Sequence, residues 1–355
     1  MSLHVLVAAV ALIIAVLATN TANANDRYAA YVWDTNTGEV LFARNDAEPR
    51  FPASLTKIMT LYMVFEALEA GRISLGSPVP VSEKAAAEVP SKLGMRAGSL
   101  ITVENAIRSL VTRSANDMAT ALGEILGGTE ENFARLMTAR ARQLGMNDTV
   151  FHNAHGLPDE RQVTTAHDMA VLGYAIREHF PDRYHYFQTR EFNFAGQTIG
   201  NHNRLLGRVD GVDGIKTGFT RASGFNLVTS VRLNGRSIVA VVMGGQSGAS
   251  RDDHMESLIH DHLPRASTVK SADIMVKRPA FSRRVAKILV MPEVMEVPQF
   301  REQFEAPSLA SKPVPATPAN TVDVTTTDTG YAWPPEGRGT SLPSEQIVRD
   351  ALGRR

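Results

Sequence analysis

The 355-residue sequence has no cysteine, which excludes a disulfide scaffold, a thiol nucleophile and a cysteine-based zinc site. It also lacks a surplus of charge of either sign, because 37 Lys and Arg residues balance 37 Asp and Glu residues. Nucleic-acid-binding proteins usually present a basic surface, so this balance predicts no nucleic-acid partner. A glycine-rich loop that could hold a phosphate is missing too, and no cofactor is predicted.

The N-terminus carries an almost continuous apolar run over Leu3–Ala18. A membrane-spanning helix needs about 20 apolar residues, so this run is short for one. Polar residues follow, and Ala22-Asn23-Ala24 offers a small-residue cleavage site. Residues 1–24 are therefore predicted to be a signal peptide, with an uncleaved membrane anchor as the alternative. The mature protein is expected in the periplasm or elsewhere in the cell envelope, and membrane association is left open.

Three stretches with different patterns of apolar and polar residues follow the N-terminal segment. Residues 25–53 alternate like two strands around a turn, 54–205 are mainly helical in pattern, and 206–263 return to strands before a closing helix. This order predicts an α/β domain of the α+β kind over residues 25–266, with one antiparallel five-stranded sheet and a large helical insert.

The remaining segment, residues 267–355, is rich in proline and threonine. Ten of the 18 prolines lie between Pro279 and Pro343. Such a composition buries too little apolar surface to offset the entropy of ordering, so a largely disordered tail with possible short elements is predicted.

The first candidate motif is Ser54-Leu55-Thr56-Lys57, at the start of a predicted helix over Ser54–Ala70. Residues three apart share one helical face, so the hydroxyl and the amine are neighbours. A lysine with a lowered pKa can take the proton from a serine nucleophile. Alone the motif is a weak signal, because Ser54 could be a simple helix cap. Later in this helix, Glu66 and Glu69 are expected to form a solvent-facing patch.

The second candidate motif is Ser114-Ala115-Asn116, in a loop that enters a predicted helix. Ser114 offers a hydroxyl that can relay protons, and Asn116 offers an amide that can bind a substrate carbonyl. Read alone, the motif is better explained as another helix cap.

The third candidate motif is Lys216-Thr217-Gly218, on a predicted strand. The charge of Lys216 would lower the pKa of a neighbouring lysine, and Thr217 can donate a hydrogen bond to a carboxylate. Gly218 leaves room for a substrate backbone along the strand edge. The alternative is an ordinary strand lysine.

Each motif is weak alone, but the ordered set of S-x-x-K, S-x-N and K-T-G is the one found in β-lactamases and penicillin-binding proteins. The sequence resembles the serine D-alanyl-D-alanine carboxypeptidases, which are low-molecular-weight penicillin-binding proteins. The resemblance covers about residues 27–263 and extends to the stretches Phe151–Pro158 and Asp213–Thr220. It implies a β-lactamase/transpeptidase-like fold.

The resemblance also implies an activity, in which peptidoglycan stem peptides ending in D-Ala-D-Ala are the substrates and β-lactam antibiotics are covalent inhibitors. Ser54 would be acylated by the penultimate D-alanine carbonyl and release the terminal D-alanine. Lys57 would be the general base, and Ser114 and Lys216 would relay protons.

For substrate binding, the resemblance assigns the peptide to Asn116 and the oxyanion to the backbone N–H groups of Ser54 and Phe219. Arg251 matches an arginine that the family places after the last hairpin, and its guanidinium suits the terminal carboxylate. Phe219 itself differs from the family pattern, because some relatives carry a polar residue at this position. The proline- and threonine-rich tail also differs, because many relatives continue into a β-rich second domain.

Three alternatives to the carboxypeptidase stay open at this point. A DD-endopeptidase would use the same chemistry on cross-links, and a non-catalytic wall-binding module would keep only the fold. A β-lactamase is disfavoured, because no E-x-x-L-N motif lies between Asn116 and Lys216. No metal site is predicted, since His152 and His155 lack an evident third ligand in the sequence.

Overall fold

The computed structural model describes residues 25–271 and 276–279. The predicted signal peptide at residues 1–24 lies outside them, as do residues 272–275 and 280–355 of the predicted tail. Among the described residues, no helix combines the length and apolar composition needed to cross a bilayer.

The described chain alternates between short strands and helices before it ends in three long strands and a helix. In chain order, the elements are β1 (Ala29–Asp34), β2 (Val40–Arg44), α1 (Thr56–Glu69), β3 (Pro78–Pro80), α2 (Glu83–Ala87), β4 (Leu100–Thr102), α3 (Val103–Thr112), α4 (Asn116–Gly127), α5 (Glu130–Leu144), α6 (Ala166–His179), β5 (Glu191–Phe194), β6 (Gln197–Gly200), β7 (Val212–Thr220), β8 (Gly224–Leu233), β9 (Arg236–Gly245) and α7 (Gly248–His262). Short 3-10 turns occupy Ala53–Leu55, Tyr184–Gln188 and Leu263–Arg265.

The main sheet has five strands in the order β2-β1-β9-β8-β7, and every neighbouring pair is antiparallel. The N-terminal strand β1 lies beside β9, with Ala29 opposite Met243 and Asp34 opposite Ile238. Consequently β7, which carries the third motif, is an edge strand of this sheet. The predicted five-stranded antiparallel sheet with a helical insert is confirmed.

Both faces of the sheet are covered, and the alternation of side chains along the strands explains how. In β1, Tyr31 packs into the core formed with the helical insert, whereas Ala30 and Val32 pack on the other face. That second face is covered by α7, through Met255 and other apolar side chains. Successive strand residues point to opposite faces, so an apolar strand is buried on both sides.

Helix α1 passes through the core of the insert, and 13 of its 14 residues are buried. Apolar residues lie on most sides of this helix, which explains such complete burial. The expected solvent-facing patch is wrong for Glu66, which is 6% exposed and lies 3.0 Å from Arg140 Nε in a buried ion pair. Burial of a carboxylate requires such a partner, and Arg140 comes from α5.

The structure also contains pairs of short strands that the sequence analysis did not predict. Strands β3 and β4 pair with each other, as do β5 and β6. Pro78 and Pro80 flank the only interior residue of β3, and proline cannot donate to a strand ladder. Only tertiary context therefore defines β3 as a strand.

The chain continues past the predicted domain boundary at residue 266 by packing against β1 and the turn that follows it. Ser267 N donates to Asp34 Oδ2 at 2.8 Å, and Asn36 Nδ2 donates to the carbonyl of Ser267 at 2.7 Å. The first residues of the predicted tail are thus held on the domain surface.

Candidate active site

Ser54 lies at the N-terminal end of α1, the helix that also carries Lys57. It lies in the 3-10 turn Ala53–Leu55, which runs directly into α1. Lys57 follows on the first turn of α1, and its Nζ lies 3.1 Å from Ser54 Oγ. The predicted pairing of hydroxyl and amine on one helical face is therefore present.

The Ser54 hydroxyl faces a cleft with a volume of about 670 Å³. All three sequence motifs and Arg251 reach this cleft. The predicted site residues that line it are Ser54, Ser114, Asn116, Thr217, Gly218, Phe219 and Arg251. The other two, Lys57 and Lys216, are buried close to its wall.

Lys57 is fully buried, and three oxygens surround its amine. Besides Ser54 Oγ, the carbonyl oxygens of the Asn116 side chain and of the His155 backbone each lie 2.7 Å from Nζ. Burial, and next the positive charge of Lys216, lower the pKa of Lys57 well below its usual value. No carboxylate forms an ion pair with this amine among the described residues, so a neutral amine is favoured.

Ser114 occupies an unusual position at the entry to α4. Its φ of 59° lies in the left-handed region, which is uncommon for a residue other than glycine. Its Oγ is buried without a hydrogen-bond partner among the described residues, although the residue lines the cleft. A buried hydroxyl without a partner costs free energy, so this group is prepared for a proton or a substrate atom.

Asn116 is tied to its surroundings at both ends of its amide. Oδ1 accepts from Lys57, and Nδ2 donates to the carbonyl of Val89 at 2.8 Å. One amide hydrogen remains for a substrate in the cleft. Asn116 is thus a partner of Lys57 and also lines the cleft.

Lys216 and Gly218 bring strand β7 against the turn that carries Ser54. Lys216 is 1% exposed, and burial together with the charge of Arg251 lowers its pKa to about 7. A Cβ added at Gly218 would lie 3.0 Å from the backbone nitrogen of Ser54, so glycine permits this close approach. The structure therefore gives this glycine a packing role against the Ser54 turn, and its expected role of leaving room for a substrate backbone stays a prediction.

Arg251 lies in the first turn of α7 and is 5% exposed. Its Nη2 and Nε lie 2.7 Å and 2.9 Å from Asp252 Oδ1, and its Nη1 donates to the carbonyl of Asn226 at 3.0 Å. Most of its donors are therefore engaged within the protein, while the guanidinium still borders the cleft.

Phe219 is 52% exposed, although the residues that directly precede it in β7 are buried. Its ring stacks on that of Phe225 with centroids 4.2 Å apart and an interplanar angle of 28°. Together the two rings form an aromatic surface on one wall of the cleft.

A buried cluster behind Lys57 was not found by sequence reasoning. His155 Nε2 lies 3.1 Å from a carboxylate oxygen of Glu130 and 3.4 Å from one of Glu88. Leu157 N donates to Nδ1 of the same ring at 3.0 Å, so the ring proton lies on Nε2. Burial raises the pKa of Glu130, but the hydrogen bonds from His155, Ala154 N and Lys84 prevail and lower it to about 2.

The ligand-type atoms of Glu88, Glu130 and His155 all lie within 4.8 Å of one another, so His155 does have carboxylate neighbours that the sequence analysis did not identify. Lys84 lies 3.0 Å from Glu130, and Thr120 donates to Glu88 at 3.0 Å. The cluster is therefore held by internal hydrogen bonds and ion pairs, and it anchors the backbone carbonyl that contacts Lys57.

Asn226 and Gly156 hold the turn that carries Ser54 from two sides. Asn226 Nδ2 donates to the carbonyls of Phe51 and Pro52 at 3.0 Å and 3.2 Å. Gly156 has a φ of 90°, and a Cβ there would lie 1.8 Å from the carbonyl oxygen of Ala53. The family-like stretch Phe151–Pro158 supplied a signal for Gly156, whereas nothing in the sequence singled out Asn226.

Comparison with known proteins gives consistent matches. The sequence model of a family described as D-alanyl-D-alanine carboxypeptidase matches residues 17–247, more than half of the chain. The D-alanyl-D-alanine carboxypeptidase DacD of Salmonella typhimurium is 36% identical over 252 residues, which cover 69% of this chain and 65% of that protein. A D-alanyl-D-alanine endopeptidase of Pseudomonas aeruginosa is 30% identical over 222 residues, which cover 60% of this chain and 70% of that protein.

The fold is shared as well. The crystal structure of penicillin binding protein 5 from Haemophilus influenzae superposes with a TM-score of 0.63 at 33% identity, over 65% of this chain and 69% of that one. This confirms the predicted β-lactamase/transpeptidase-like architecture. The chain spans just under two thirds of the length of the DacD relative. The family model, the similar sequences and the shared fold agree, so the chain belongs to the D-alanyl-D-alanine carboxypeptidase family.

Proposed function

We propose that this protein is a serine D-alanyl-D-alanine carboxypeptidase that removes the terminal D-alanine from peptidoglycan stem peptides. The observation that carries the proposal is the buried amine of Lys57, 3.1 Å from Ser54 Oγ and flanked by two carbonyl oxygens. This arrangement activates a hydroxyl without a histidine.

The partners of Lys57 define how the base works. A neutral amine has two N–H bonds, which point to Asn116 Oδ1 and to the carbonyl of His155. Its lone pair is then left for the proton of the Ser54 hydroxyl. Burial and the charge of Lys216 favour this neutral form.

The substrate lies along the open edge of β7 in this proposal, as an added strand. The penultimate carbonyl oxygen is held by the backbone N–H groups of Ser54 and Phe219, which stabilise the negative charge of the tetrahedral intermediate. Ser114 Oγ has no hydrogen-bond partner among the described residues and is available to pass a proton to the departing amine.

The reaction proceeds in two balanced steps. Ser54 Oγ attacks the carbonyl carbon and Lys57 takes the hydroxyl proton; this proton passes through Ser114 to the amine of D-alanine, which leaves, and Lys57 is neutral again. Water then attacks the ester while Lys57 takes its proton, and that proton goes to Ser54 Oγ as the shortened peptide is released. β-Lactams acylate the same hydroxyl and act as covalent inhibitors in this scheme. Because the substrate is cell-wall material, we place the protein outside the cytoplasm, in the periplasm or cell envelope.

The test is digestion of a pentapeptide stem by the full chain, with released D-alanine measured. Wild type should release D-alanine and bind a fluorescent penicillin covalently, and Ser54→Ala should do neither. Equal labelling of both proteins would show that another residue is acylated, and labelling without D-alanine release would exclude a carboxypeptidase.

The endopeptidase is a second candidate because the Pseudomonas aeruginosa relative carries that name. Both activities share the acylation chemistry and differ in whether the leaving group has a free carboxylate. Incubation with a dimeric, cross-linked muropeptide separates them, since an endopeptidase produces monomers. Fast turnover of nitrocefin would instead indicate a β-lactamase.

A further inference from the structure

A second cavity lies at the end of the main sheet opposite Ser54. Its walls are the turn between β1 and β2, the C-terminal end of α6, the turn between β8 and β9, and the chain that follows α7. Its volume is about 450 Å³. Strand β8 runs from Asn226, which holds the Ser54 turn, to Arg232 at this cavity, so about 20 Å of strand separate the two sites.

The charged residues that line this cavity are mostly basic. They are Arg177, Glu178, Arg232, Arg236 and Lys270. Glu178 is the single carboxylate of the described chain among the lining residues, and three of the four cations contact it at 3.2 Å, 2.9 Å and 3.1 Å. Burial raises the pKa of Glu178, but the neighbouring cations prevail and lower it. Positive charge therefore remains in surplus even when Glu178 is ionised.

Buried hydrogen-bond donors accompany this charge. Arg177 is 1% exposed, and three of its five N–H bonds donate to Glu178, Ser230 and Thr35. Thr35 Oγ1 in turn donates to Ser237 Oγ at 2.7 Å. Ser237 is 8% exposed and lines the cavity, and its own hydroxyl hydrogen has no acceptor among the described residues. A buried donor without an acceptor costs free energy, so an acceptor bound in this cavity would remove that cost.

The arrangement suits a phosphate group better than a carboxylate. A phosphate monoester carries about −1.5 to −2 charge and three strong acceptor oxygens, so it can offset a surplus of several cations and use donors from several directions. The donors here belong to different walls, with Arg177 on α6, Arg232 and Ser237 beside the turn between β8 and β9, and Lys270 after α7. Arginine and lysine are both common phosphate-binding residues.

We propose that this cavity binds a phosphate group with a free monoester or inorganic character, either in solution or on a lipid headgroup. Arg232 and Lys270 supply the exposed charge, and Arg177 and Ser237 supply the buried donors. The site is separate from the proposed carboxypeptidase function, because none of these residues lines the cleft. A headgroup bound here would direct the cleft away from the lipid surface, since the two sites lie at opposite ends of the same strands.

The experiment measures binding of inorganic phosphate to the full chain by isothermal titration calorimetry, with ionic strength held constant by chloride. Wild type should bind one phosphate per chain. Combining Arg232→Gln with Lys270→Gln should raise the Kd about 10-fold, as expected for two partly exposed charge pairs. Ser237→Ala removes a donor without changing the charge, and it should raise the Kd about 5-fold. No saturable binding by wild type would overturn the proposal.

The matched control combines Arg135→Gln with Arg208→Gln, because it removes the same charge from two exposed side chains outside the cavity. It should leave the Kd unchanged. An equal rise in Kd in the control and in the cavity variant would overturn the site, since net charge alone would then explain the binding. Urea unfolding of each protein checks that the fold is retained.

Vesicles distinguish a lipid headgroup from a free phosphate. Phosphatidic acid presents a monoester phosphate, phosphatidylglycerol at equal surface charge presents only a diester, and phosphatidylcholine alone records binding by the apolar run Leu3–Ala18. Wild type should sediment most with phosphatidic acid vesicles if a headgroup is bound, and the variant lacking Arg232 and Lys270 should lose that excess. No excess, with phosphate binding retained in calorimetry, would support the site and identify free phosphate as its ligand.

Failure of this proposal and failure of the proposed function are distinguishable. A protein that releases D-alanine but does not bind phosphate would refute only the phosphate site. A protein that binds phosphate and releases no D-alanine would refute only the carboxypeptidase.

Discussion

Lys57 Nζ lies 2.7 Å from the backbone carbonyl oxygen of His155, a residue 98 positions further along the chain. This contact joins α1, the helix that follows Ser54, to a loop whose His155 side chain forms a buried cluster with Glu88 and Glu130. The position of the proposed base therefore depends on residues that do not line the cleft.

Replacement of His155 by Ala should slow acylation by penicillin about 10- to 100-fold, because a small displacement of a catalytic group has effects of that size. Without the ring, Glu88 and Glu130 lose their shared donor, and the carbonyl beside Lys57 shifts. The measurement is the second-order rate of covalent labelling, with Gln at position 155 expected to recover part of the rate. His152→Ala is the control, because that ring makes no hydrogen bond with the described residues, and an equal effect there would contradict the prediction.

The pH dependence of acylation should follow the charge at position 216. Lys57 is active as the neutral amine, so the rate falls as pH drops through its pKa. Lys216→Gln removes a positive charge, which raises the pKa of Lys57 and should move the acidic limb of the profile upward by about one pH unit. Lys216→Arg keeps the charge and should leave that limb low. Penicillin labelling rates from acidic to alkaline pH provide the test, and coincident acidic limbs in the two variants would refute it.

Gly156→Ala should destabilise the fold by about 3 kcal/mol or more, because its Cβ would lie 1.8 Å from the carbonyl oxygen of Ala53. Gly71→Ala is the matched control, since Gly71 also has a positive φ but no atom within 4 Å of the added Cβ. It should cost only about 1 kcal/mol, from the left-handed backbone alone. Urea unfolding of both variants measures the difference. Equal free energies of unfolding would show that the backbone at Ala53 can shift away from the added Cβ at little cost.

Phe219→Ala should leave penicillin acylation within about 5-fold of wild type, because the proposed oxyanion contact uses the backbone N–H of this residue. The lost stacking on Phe225 should lower the free energy of unfolding by about 1 kcal/mol. Labelling rates and urea unfolding test the two effects separately. Abolished labelling in a protein that remains folded would mean that the aromatic ring itself takes part in acylation.

Local sequence patterns were sufficient for much of the fold and for the positions of the three candidate motifs. The Asn234-Gly235 turn between β8 and β9 and the apolar run of α1 both have short-range signatures. Ser54 and Lys57 are three residues apart, so helical geometry alone predicts their contact.

Other contacts depend on which elements meet in three dimensions. Glu66 on α1 becomes buried only because Arg140 on α5 lies 3.0 Å away, and nothing within α1 indicates that partner. His155 and its two carboxylates come from three separate segments.

The pairing of β1 with β9 determines how much of the chain must be present before the protein becomes competent. The first hairpin has no partner in the main sheet until residues up to Gly245 are present, and β7 precedes β9 by only a few residues more than one strand. A shorter chain carries Ser54 and Lys57 without the wall that would receive the acyl donor. Covalent capture of a penicillin by a series of truncated chains should therefore begin only once β9 is present, which makes the antibiotic a reporter of completed folding.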